Sequence, residues 1–101
     1  MYNIWYMRQG SGFLPMDSIS LDALESTHVR VAEGHRAKSL EEAYTDYRAD
    51  MWDKARYEIW GNYACNKCGA SHATMMVGDV IEDLSDGTFH AVDIYGFKQL
   101  S

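Results

Sequence analysis

The chain has 101 residues, 47% of them apolar and 13% aromatic, with a net charge of −6. That length allows one hydrophobic core in a single domain spanning 1–101, and the composition excludes a disordered chain. No apolar run reaches the ~18 residues of a membrane span, and the opening MYNIWYMRQGSG lacks the regions of a signal peptide, so a cytoplasmic location is expected.

Tyr2–Arg8, aromatic and β-branched, reads as a strand. Gly10, Gly12 and the single proline, Pro15, punctuate a loop, and MDSISLDAL has room for one helical turn. THVRVAE alternates as a half-buried strand, with Val29 and Val31 on one side, His28, Arg30 and Ala32 on the other, and Gly34 ending it. Ser39 and Glu42 then form a capping box. Leu40, Ala43, Tyr44, Tyr47 and Met51 follow at helical spacing and predict an apolar stripe. The periodicity leaves open whether DMWDKARYEIW continues this helix or begins another, and Gly61-Asn62 reads as its stop. Val80, Ile81 and Leu84, the tight turn at Asp86-Gly87 and a strand over Thr88–Tyr95 make a C-terminal β-hairpin, with Gly96 as a bend before Phe97. The order predicts an α+β fold, a small antiparallel or mixed sheet with one or two helices packed on one face.

The charge is uneven. Residues 1–38 balance four acids with four bases, whereas 39–101 hold eleven acids against five bases. Asp79 to Asp93 contains five acids and no Lys or Arg. This balance argues against direct nucleic-acid binding and suits either plain solvation or an acidic face for a basic protein surface.

The segments LEEAYTDY, ATMMVGDVI and DGTFHAVDIYGFKQL resemble the YodL-like family of small domains from bacteria, phages and conjugative elements. The matching positions are Leu40, Glu41 and Tyr44; Thr74, Met75, Val77, Gly78, Asp79, Val80 and Ile81; and Val92, Asp93, Gly96, Phe97 and Leu100. The last thirty or so residues match best, and 52–71 looks like an insertion. The resemblance implies a phage or mobile-element accessory protein, acting in the host cytoplasm by binding a host protein, and it implies no catalytic residues. His72 falls where the family pattern often has a histidine.

Chemistry-bearing motifs are few. Cys65-x-x-Cys68-Gly69 has the shape of half a zinc site, and His72 and His90 would complete a Cys2His2 set. Without a second Cys-x-x-Cys, the pair reads first as reduced thiols in a loop, with no cofactor, and second as a metal half-site; the helix that a redox pair needs does not follow it. Zinc is therefore the one cofactor to consider. No Gly-x-Ser-x-Gly, His-Glu-x-x-His or phosphate loop occurs, so an enzyme is not expected. Thirteen aromatic residues exceed what so short a chain can bury. Trp5, Tyr44, Tyr47, Phe89 and Phe97 are assigned to the core. Met51, Trp52, Tyr57, Trp60 and Tyr63 are assigned, with Glu82, Asp83 and Asp86, to a partner-binding face. The expected function is binding that inhibits or redirects a host protein, a CRISPR or restriction complex among the candidates, by steric or acidic charge-mimic occlusion. The alternative is a zinc-stabilised adaptor that binds nucleic acid or protein through the cysteine loop.

Overall fold

The strand expected at the N-terminus, Tyr2–Met7 (β1), lies second in a sheet of five antiparallel strands ordered β2-β1-β3-β4-β5. A computed structural model describes residues 1–10 and 15–101; Gly12, read above as part of a loop, lies outside the described residues. The other strands are His28–His35 (β2), Val80–Asp83 (β3), Thr88–Asp93 (β4) and Gly96–Leu100 (β5). Helices α1 (Leu24–Thr27), α2 (Leu40–Asp46) and α3 (Lys54–Gly61) lie between β1 and β3. The fold is the expected α+β class.

Strand alternation divides the core in two. Tyr2, Ile4 and Tyr6 of β1, with Ile81 and Val92, face one side and pack with Ala43, Leu40 and Tyr44 of α2 and Trp60 of α3. Trp5, Val80, Ala91 and Leu100 face the other side, where Ile19 and Leu24 cover them. The ambiguous segment after Pro15 thus becomes a lid on the second face, made of a 3₁₀ turn at Met16–Ser18 and the single turn of α1.

Four local expectations are corrected. On β2 the register slips twice against β1, pairing Tyr2 with His35, Ile4 with Ala32 and Trp5 with Arg30. These bulges replace simple alternation, so Val29, Val31 and Ala32 all reach the helix-side core. They also carry the strand past Gly34, whose φ of +63° is tolerated there and whose amide donates to Asn3 Oδ1. The Ser39 cap forms as expected, accepting from the Glu42 amide at 3.1 Å. Yet α2 ends at Asp46, and a 3₁₀ turn at Ala49–Met51 separates it from α3, which Asp53 caps. The apolar stripe therefore loses Met51, which points into solvent.

Gly61-Asn62 is not a stop. The backbone runs through it into a π-helical turn, Asn62–Lys67, and Gly69 at φ +86° ends the helical path. The cysteine loop is then tied to the end of β1: Gln9 N donates to Gly69 O and Ser71 N to Met7 O, both at 2.9 Å. Lastly, β4 stops at Asp93. Ile94 and Tyr95, expected to extend it, form the tip of a second hairpin that returns through Gly96 into β5. Phe97 reaches the core as expected, on the helix side, and Leu100 is buried beneath the lid.

Candidate partner-binding groove

Trp60 stands where the two layers meet, and its surroundings define the site. Its indole N–H donates to the Ala73 carbonyl at 2.7 Å, which fixes the ring at the floor of a groove. Tyr47, Tyr63 and Trp52 surround it with ring centroids 5.5, 5.7 and 6.2 Å away, spacings typical of packed aromatic pairs. Tyr6 meets it edge-on from the core at 6.2 Å. The open groove above has a volume of about 1150 Å³. Its apolar rim comes from one short segment: Met51 is 76% exposed, Ile59 74% and Tyr63 47%. Ile59 stands on α3, which buries no residue fully, while Met51 and Tyr63 stand on the 3₁₀ and π-helical turns that flank it.

The polar members of the groove are mostly matched. His35 Nε2 donates to Asp46 Oδ2 at 2.8 Å, while its ring meets Tyr47 edge-on at 4.8 Å. Burial pushes the Tyr47 phenol above its ordinary range, with Asp46 adding to the effect and Arg56 opposing it. Arg48 forks the Asp50 carboxylate at 3.1 and 3.2 Å. That fork, together with the Thr74 hydroxyl, holds the Asp50 carboxyl down at about 2. The Arg56 guanidinium lies 3.8 Å from the centroid of the Trp52 ring, a close cation–π contact.

The residues assigned to a binding face from sequence separate. Met51, Trp52, Trp60 and Tyr63 line the groove, and Tyr57 is exposed on α3. The hairpin acids do not line it. Glu82 accepts from Asn3 Nδ2 at 3.0 Å and Trp5 Nε1 at 3.1 Å, on the lid side of the sheet. Asp83 accepts from the Ser85 amide and hydroxyl, and Asp86 accepts from those of Thr88, so both acids shape the turn. Sequence reading assigned Tyr47 to the core and passed over His35, Asp46, Arg48 and Arg56. No spacing rule joins the end of β2 to the end of α2, whereas Arg56, four residues after Trp52, was at helical spacing and open to notice.

The four candidate metal ligands are not gathered either. Among the described residues no three His, Cys, Asp or Glu side chains are grouped so as to hold a metal ion. Cys65 and Cys68 are free thiols, both half-buried, and burial raises the Cys65 pKa. His90 is held by Thr88 Oγ1 at 2.7 Å on β4. His72 is turned inward, stacked on Tyr6 at 5.1 Å, with Nε2 donating to Asp79 Oδ2 at 2.7 Å and Nδ1 paired with Ser71 Oγ.

That inward turn completes a second polar cluster, which is closed. Asp79 is fully buried and accepts from the Met7 amide at 3.0 Å, the Met76 amide at 2.8 Å and His72. Burial raises its carboxyl above the ordinary value, opposed by His72 and by the two amides. Beside it the buried His28 donates from Nε2 to Gly78 O at 2.7 Å, and Thr27 Oγ1 lies 2.8 Å from Nδ1. Burial lowers the pKa of His28. No buried side-chain nitrogen or oxygen among the described residues lacks a partner. The cluster therefore fastens the Gly78–Asp79 turn to the end of β1.

No protein-family model matches the chain, and no curated protein or solved structure matches it. No helix among the described residues is long and apolar enough to cross a membrane.

Proposed function

We propose that the chain is a stoichiometric, non-catalytic binding protein that engages a partner protein through the groove around Trp60. The observation that carries this reading is the apolar rim. Met51, Ile59 and Tyr63 are held out of the core by the capped helix α3 and the turns on either side of it, beside rings already fixed in place. Such surface costs solubility unless something covers it, and ordered aromatic residues around a concavity supply contact area with little entropy left to lose. The resemblance of the last third adds the setting: a phage or mobile-element product whose partner is a host protein, inhibited or redirected by steric occlusion. The hairpin acids stand apart from the groove, which favours the steric form over charge mimicry.

The test is affinity capture from host lysate with the intact chain and two variants. Met51→Ser/Ile59→Ser strips the rim, and Asp83→Asn/Asp86→Asn neutralises the hairpin tip. A partner retained by the hairpin variant and lost by the rim variant at unchanged melting temperature supports the reading. Capture indifferent to the rim removes it.

A further inference from the structure

The composition of the groove narrows what it binds, and this inference rests on the reading just given. The chain is acidic overall, yet the groove is not. Its acid, Asp46, is engaged by His35 at 2.8 Å, and Arg48 is engaged by Asp50. Arg56 remains. Among the described residues it has no carboxylate partner, and its guanidinium is laid over Trp52 at 3.8 Å. Stacking fixes the guanidinium plane and leaves its N–H edge free to donate. A planar fork held in this way matches a carboxylate with two parallel hydrogen bonds. Trp60, Ile59 and Met51 lie in the same groove and offer an apolar wall.

We infer that the groove receives a peptide segment of the partner in which an Asp or Glu stands beside a large apolar side chain. The carboxylate docks on Arg56 and the apolar group packs against Trp60, Ile59 and Met51. Charge complementarity selects this occupant over nucleic acid. A phosphate chain needs several cations along its path, whereas the groove leaves one unmatched on a molecule of net charge −6.

The experiment is selection of random dodecapeptides, displayed on a carrier, against the immobilised intact chain, followed by affinity measurement on synthetic copies. Selected peptides that bind the native chain, but not Met51→Ser/Ile59→Ser, are groove ligands. The inference predicts that they pair an acid with Phe, Leu or Trp. It also predicts that Arg56→Gln weakens them about tenfold or more, and that Arg56→Lys restores only part of the loss. Arg56 is exposed on α3, and an unchanged melting temperature in both variants excludes a folding defect. Groove ligands without an acid, or indifferent to Arg56→Gln, overturn the inference and leave the binding reading standing. Failure to select any groove ligand overturns both, and so does tighter binding of a single-stranded oligonucleotide than of any peptide.

Discussion

Two regions of this molecule use the same kinds of side chain to opposite ends. Around Asp79, an aromatic ring, two histidines and a carboxylate form a buried cluster in which each polar group has a partner. Around Trp60, aromatic rings, a histidine, a carboxylate and two arginines form an open groove with an apolar rim and an unmatched cation. The regions touch through Tyr6, which stacks on His72 and meets Trp60, and through the Ala73 carbonyl, which accepts from both Tyr6 and Trp60. The difference lies in completion. A closed cluster fastens the chain, whereas an open one with rigid walls is prepared for something else.

The comparison makes a graded set of stability predictions. Asp79→Ala leaves two amides and His72 unanswered in the interior and should cost ~3–5 kcal/mol by denaturant unfolding. A loss under ~1 kcal/mol would mean that the cluster does not fasten the fold. Gly78→Ala should cost ~1–3 kcal/mol, because φ is +98° and an added Cβ would sit 3.2 Å from the Met7 sulfur. Trp60→Phe keeps a ring and removes the bond to Ala73 O, for ~1 kcal/mol. Met51→Ser/Ile59→Ser, on the rim, should stay within ~0.5 kcal/mol per site. A larger loss would show that the rim is packed and would merge the two regions into one core.

The closed cluster also carries a pH signature. Burial lowers the pKa of His28 below its ordinary 6.5, so under mildly acidic conditions the unfolded chain binds the proton that the folded chain refuses. This contribution is fully present above 6.5 and is lost as pH falls toward the folded value. Asp79 acts in the opposite sense, because its raised pKa adds stability as pH falls from that raised value toward 3.8. Unfolding free energies measured between about pH 7.5 and about pH 5.5 should decline in the native chain and be flatter in His28→Gln. Equal slopes would contradict the buried neutral imidazole.

Much of the fold was legible in the sequence because local chemistry dictates it. Ser39 caps, Gly87 turns, and Val80 and Ile81 propagate a strand wherever they stand. The failures came where neighbours override local preference. Two bulges made three residues of β2 face one core, and Gly61-Asn62 was drawn through a π turn because the following loop pairs with the end of β1. Ile94-Tyr95 became a hairpin tip although both residues favour strands. The aromatic half of the groove was readable as a surplus that a small core cannot hold. Its polar half was not, since the distance between His35 and Asp46 is set by tertiary packing. The acids that sequence placed beside it are turn-formers and a half-buried acceptor instead, a distinction that depends on which way each side chain faces.

Hydrogen exchange on the intact chain, alone and with its captured partner, tests the central claim most directly. Binding at the groove predicts slowed exchange across 49–63, with no change at Met76, Gly78 and Asp79, whose amides are already hydrogen-bonded within the chain, or at the hairpin tip 83–88. Protection centred on 83–88, with 49–63 unaffected, would contradict it.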